Sequence, residues 1–178
     1  MSETTELTKT KWIIDPAHSE IGFKVKHLMI TNVKGTFKEY EASIYTTNED
    51  FMSAEVDFWL NPASVNTGDA SRDAHLSGPD FFDAEKYPTI TFKSTGIEKA
   101  GEDSYKLTGD LTMHGITKQI TMDLLYKGTV VNAMNKRETA GFQLIGTLKR
   151  SDFGIGPNFA PPMISDEVRI KADGEFVQ

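Results

Sequence analysis

The chain has 178 residues and a mass of 19.8 kDa, a length that a single all-β domain reaches without splitting. Lys and Arg number 19 against 26 Asp and Glu, a formal net charge of -7, and a field of that sign repels phosphate backbones, so nucleic acid is not an expected partner. Cysteine is absent, which excludes disulfides, thiolate nucleophiles and cysteine-bound metals.

Residues 1–10 are polar throughout and predict a flexible arm ahead of a single domain over 11–178. They lack the basic start and apolar run of a secretory signal, and no stretch approaches the ~20 apolar residues of a membrane span. The expected location is the cytoplasm, or the periplasm if a leader has been removed.

The first predicted strand is short, over 12–15, because Pro16 removes a backbone donor and fixes φ. From there apolar and polar residues alternate with period two, which gives strands with one dry and one wet face. The second strand covers 19–29 and places Ile21, Phe23, Val25, His27 and Met29 on one face. A third covers 35–45 and a fourth 54–61, ended by Asn61-Pro62. Between 69 and 83 the rhythm changes: Asp69 is an N-cap candidate and Gly78-Pro79 a stop, which predicts one short helix followed by a turn carrying Phe81 and Phe82 to plug a barrel end. Strands resume at 89–99, 105–113 and 118–127, then a loop over 128–138, then strands at 139–150 and 165–177. Residues 152–162 hold Gly154, Gly156, Pro157, Pro161 and Pro162, the composition of an irregular flap over a mouth.

So many half-dry strands and so little helix predict an all-β fold with one short helix, built either as two packed sheets or as an antiparallel barrel of about eight strands closed on itself. Its interior is either filled by side chains or open to one slim ligand. The inward stripes hold Phe23, Val25, Phe58, Phe92, Leu111, Met122 and Phe142, interleaved with Gly109, Gly146, Ala172 and Gly174. The small residues either leave room for an apolar ligand or mark close strand contacts. With Phe153 from the flap, those seven large residues are the predicted lining.

No pair of the four histidines has the spacing of a zinc motif, so no metal site is expected. His18 and Ser19 follow Asp15, but adjacent strand residues diverge, and there is no GxSxG elbow, so no catalytic residues are assigned. Arg72 and Asp73 form either a polar clamp for a head group or a pair that fixes the helix to the barrel. No phosphate loop or dinucleotide fingerprint appears, and no cofactor is required.

The order of residues resembles the YceI-like family, the bacterial polyisoprenoid-binding proteins. The resemblance rests on Trp12-x-x-Asp15-Pro16-x-His18-Ser19-x-Ile21-x-Phe23, Gly35-x-Phe37, Arg72-Asp73-x-His75-Leu76, Asp80-Phe81-Phe82-Asp83 and Tyr87-Pro88-x-Ile90-x-Phe92. It continues through Gly109-Asp110-Leu111-Thr112-x-His114-Gly115 to Arg150-x-Asp152-Phe153-Gly154-Ile155 and Ser165-Asp166-Glu167-Val168. It implies an extended antiparallel lipocalin-like β-barrel of about eight strands with one short helix, enclosing an elongated apolar channel for a long isoprenoid, quinone or similar lipid. The expected function is non-catalytic binding, storage or transport of that lipid. The alternative is an enzyme acting on an isoprenoid through a polar cluster of His18, Arg72 and Asp73. The expected partner is the lipid itself, with no transmembrane segment, and a homodimer is left open.

Overall fold

The computed structural model describes residues 9–47 and 50–178, in which eleven strands form one sheet. Strand β1 (Lys9–Ile14) buries Trp12 and Ile14 and turns Lys11 and Ile13 outward. Pro16 then forces a single 3-10 turn, Pro16–His18, which Asp15 caps by accepting from the Ala17 N–H at 3.1 Å. The chain resumes as β2 (Glu20–His27) on the same edge of the last strand, β11 (Glu167–Val177): Ile14 faces Phe176, and Glu20 faces Asp173. β1 and β2 are thus one long strand broken by a turn.

Its neighbour is broken in the same place. β3 (Thr31–Phe37) pairs with β2, and β4 (Tyr40–Thr47) pairs with β1. Phe37 and Tyr40 are both buried although three residues apart, so the two-residue phase slips at Lys38-Glu39. The single strand expected over 35–45 is therefore two. The backbone groups freed at the slip are satisfied from the 3-10 turn Pro62–Ser64: Lys38 N–H donates to the Ser64 carbonyl, and Asn61 N–H to that of Glu39.

The remaining elements are β5 (Asp50–Leu60), the two-residue β6 (Val65–Asn66), helix α1 (Ala70–Ser77), β7 (Ile90–Lys99), β8 (Ser104–Met113), β9 (Ile116–Val131) and β10 (Glu138–Lys149). From β4 they pair antiparallel in the order β5, β7, β8, β9, β10, β11. Contact between β1 and β11 closes the ring into an eight-strand antiparallel barrel with one helix.

The ends differ from the sequence expectation. β1 begins at Lys9, inside the predicted polar arm, whose first eight residues lie outside the described residues. β9 runs on to Val131 through most of what was read as the front of a loop, because Thr129, Val130 and Val131 are β-branched and find partners in Ala140, Thr139 and Glu138. Helix α1 forms where expected, with Asp69 accepting from the Ser71 and Arg72 N–H groups.

Aromatic clusters fill both ends. At one, Phe51 lies 5.8 Å from Trp12 and 5.0 Å from both Tyr126 and Phe142. At the other, Phe82 packs with Phe23 and Phe37, and Phe81 stacks on Phe159 at 4.9 Å.

Candidate binding cavity

Inside the barrel is a cavity of about 460 Å³, within the size range of small-molecule pockets. Its wall follows the strand alternation. Along β10 it is lined by Phe142, Leu144 and Leu148, and just past the strand end by Arg150, eight positions from Phe142, about 25 Å at ~3.3 Å per strand residue. The space is therefore long and narrow. The rest of the wall includes Met122 and Leu124 on the adjacent β9, Leu111 on β8, Phe92 on β7 and Phe58 on β5.

Of the predicted lining, the structure places Phe23, Val25, Phe58, Phe92, Leu111, Met122 and Phe142 on this wall. Phe153 is elsewhere. It sits in the 3-10 turn Arg150–Phe153 after β10 ends, 1% exposed, where strand alternation no longer sets its direction; its carbonyl is 3.0 Å from His114 Nδ1. The small residues split between the two readings. Ala172 and Gly174 face the cavity. Gly109 and Gly146 instead admit their neighbours: an added Cβ would stand 2.6 Å from the Phe92 ring and 2.8 Å from Met122 Cγ.

The polar lining gathers towards the helix: His27, Arg72, His75 and Arg150. Lys171 and Asp173, which the alternation of β11 turns outward, pair with each other at 3.8 Å. Arg72 and Asp73 do not form a pair. Arg72 donates from Nε to Thr67 Oγ1 (2.7 Å) and from Nη2 to the Thr67 carbonyl (2.9 Å), while Asp73 Oδ1 accepts from both the N–H and hydroxyl of Thr67. Both residues tie α1 to Thr67, the residue that follows β6. His18 lies apart, beside Asp15 and Glu175, and among the described residues no hydrogen bond or ion pair joins it to Arg72 or Asp73. The three do not act as one cluster.

Arg150 and His75 are the residues that sequence reasoning missed. Arg150 is buried, yet its partners are carbonyls: Ser165 from Nε, Ile155 and Gly156 from Nη1, Phe159 and Ile164 from Nη2. All five guanidinium N–H donors are used, and they fold the 152–164 segment over this end of the barrel. His75 has its ring 5.0 Å from Phe81 and 5.7 Å from Phe159, with Nε2 on Asp80 at 2.9 Å. The only signal available was the position of Arg150 at the end of an alternating strand, before a Gly- and Pro-rich loop.

At the joint between β1 and β2, Asp15, His18 and Glu175 bring metal-ligand atom types within 4.8 Å of one another. The arrangement is accounted for by the turn, since His18 Nδ1 donates to Asp15 Oδ2 at 2.9 Å. That hydrogen bond, with the nearby Glu175 charge, raises the His18 pKa, and it holds the Asp15 carboxyl below its ordinary range. The His18 contribution to stability is present below the ordinary histidine pKa and fades as pH rises through the folded value. The Asp15 contribution is present above the ordinary carboxyl value and is lost as pH falls through the lowered one. The joint is tightest between those limits. NMR should find the His18 ring titrating above a model histidine and returning towards it in Asp15→Asn; an unshifted ring in the parent protein would refute the pairing.

A closed antiparallel barrel around a long apolar cavity, with its polar groups gathered mainly at one end, places the protein among lipocalin-like barrels. The YceI-like domain model matches residues 12–176, and the chain belongs to that family. It is 33% identical over 171 residues to a UPF0312 protein of Staphylococcus aureus, covering 94% of this chain and 97% of the relative. Among solved structures, a YceI protein of Campylobacter jejuni is similar at 37% identity and a TM-score of 0.79, covering 100% of this chain and 99% of that one. BcnA of Burkholderia cenocepacia is similar at 27% identity and a TM-score of 0.83, covering 91% and 98%. A polyisoprenoid binding domain from Saccharophagus degradans shares the fold at 18% identity and a TM-score of 0.70, over 93% and 97% of the two chains.

Proposed function

We propose that this protein binds a long, single-chain apolar lipid, of the polyisoprenoid or isoprenoid-quinone type, in the barrel cavity and carries or stores it without chemical change. The observation that carries this reading is the shape and lining of the cavity: a narrow, apolar space running some eight positions along β10 and just past its end. Each buried CH₂ contributes about 0.8 kcal/mol, so a chain filling such a space binds with no polar chemistry at all. The fold neighbour described as a polyisoprenoid binding domain agrees with the ligand class.

The non-catalytic part rests on the residues at the cavity. Its apolar wall offers no nucleophile among the described residues, and two of the cations towards the helix are engaged in holding the structure: Arg72 on Thr67, Arg150 on five carbonyls. His75 is paired with Asp80 and wedged between two phenylalanine rings.

Native mass spectrometry after mild purification is the direct test, with the expected result a co-purified lipid of one chain class. Incubation with a polyprenyl diphosphate should then release no phosphate and shorten no chain. Steady product formation that disappears in Arg72→Ala or His75→Ala while binding persists would make the protein an enzyme.

A further inference from the structure

The β2–β3 hairpin carries two features that the cavity does not use. Its tip is apolar and wet: Leu28, Met29 and Ile30 are 51%, 60% and 80% exposed, and Met163 of the flap, 48% exposed, joins them through the Leu28 N–H bonded to its carbonyl. Scattered exposed apolar residues are ordinary, but a contiguous group at one point is not. Leu28 and Met29 also hold φ of +53° and +62°. A turn of that kind is relieved by Asn and Gly, so two bulky apolar residues there carry backbone strain and gain nothing from water.

The outer face of the same hairpin is basic. From Ile21 to Lys38 there are four lysines and no carboxylate, in a chain whose net charge is -7. Lys24 stands directly opposite Lys34 on one side and Arg169 on the other, so three cations line up across three strands. Like charges placed opposite one another on a sheet are destabilising. None of the three has an ion pair among the described residues. Glu167 is the carboxylate on this half of the face, whereas Glu20 and Asp173 face each other at the half remote from the tip. Charge is thus polarised along the face, with the positive part next to the apolar tip.

The tip leads directly into the cavity wall. His27 and Ile164, each adjacent to a tip residue, form a bridge, and both line the cavity.

We propose that the Leu28–Ile30 tip and the Lys24, Lys34 and Arg169 row dock this barrel on an anionic lipid bilayer, with the cavity opening towards the surface. The apolar residues enter the boundary between head groups and chains, and the cations meet the anionic head groups that offset their mutual repulsion. The proposal rests on the lipid-carrier reading for its purpose, but it fails or stands separately from it.

The experiment is sedimentation of the purified protein with phosphatidylcholine vesicles, with and without phosphatidylglycerol, at low and high salt. The expected result is binding only to the anionic vesicles, weakened by salt. Lys24→Glu with Lys34→Glu, and separately Leu28→Asn with Met29→Gly, should each lower partitioning by about tenfold or more. The second pair suits the positive-φ turn, so its melting temperature should hold or rise, which separates loss of docking from loss of fold. Native mass spectrometry on the same variants reports the cavity cargo independently, because none of the four residues lines the cavity. Absence of binding in the parent protein, equal binding to neutral vesicles, or undiminished binding by both variants overturns the proposal. A dimer dissolved by Ile30→Glu in a protein that ignores vesicles assigns the tip to a second copy instead, and also overturns it.

Discussion

Replacement of Arg150 by methionine should destabilise this protein more than the loss of an ordinary hydrogen-bonded side chain. The guanidinium serves the carbonyls of Ser165, Ile155, Gly156, Phe159 and Ile164 at once, so its removal strands five acceptors in or beside a segment that has little regular structure. A buried acceptor left without a donor costs about 1–3 kcal/mol, and some of the five will find water, which gives a total loss of about 3–5 kcal/mol. For a chain of this size that is a fall in melting temperature on the order of 10 °C. Lysine, with three donors on one nitrogen, should recover part of the loss and methionine none. Thermal melts of the three proteins in parallel check the order. Equal melting temperatures would mean that the flap holds itself in place.

The second large effect is expected at the cavity wall. Met122 is 5% exposed, and its side chain lies over Gly146, so Met122→Arg puts a cation into an apolar space with no partner in reach. A guanidinium keeps its proton even when buried, so the charge must draw in water or open the barrel. Lipid capture should be abolished, and Met122→Leu, which keeps the volume, should retain it. Phe58→Arg is the gentler version, because Phe58 borders the cavity and is only partly buried, so this variant should stay folded and still purify without cargo. Normal melting together with normal lipid content in Phe58→Arg would show that this side chain does not border the occupied part of the channel.

Much of this architecture could be read from alternation alone. In β2, β8 and β11 each apolar residue that the two-residue rhythm turns inward is on the inner wall, because a strand closed into a barrel has no freedom to present its other face. Helix α1 was legible from its cap, Asp69. The breaks were harder. Pro16 announces the turn between β1 and β2, but nothing so plain marks Lys38-Glu39, where the only trace is that Phe37 and Tyr40 stand three apart instead of two or four. The arrangement around Arg150 was not legible at all, since its partners are main-chain carbonyls, which every residue has and no motif distinguishes. Phe153 was read as lining from the flap, but it belongs to a 3-10 turn, where sequence position no longer fixes direction. Asp15 and His18 were recognisable as a turn, whereas Glu175, which completes the group, lies more than 150 positions away and only the register of β11 against β2 brings it there.

Closure of the ring by β1 and β11 sets how the chain must reach its native state. The Ile13–Val177 and Ile14–Phe176 pairings join the two ends of the barrel sequence, and every neighbouring pair from β4 to β11 can form before they do. Such a contact pays its loop entropy last and in full, and folding dominated by contacts of this kind is slow. Until β11 docks on β1, the sheet is open, with free edges at β1 and β11 and a continuous apolar inner surface facing water, the condition in which nascent β-proteins aggregate. Substitutions near Phe176 should therefore show first as poor yield from synthesis, and only second as a change in the melting of whatever has closed.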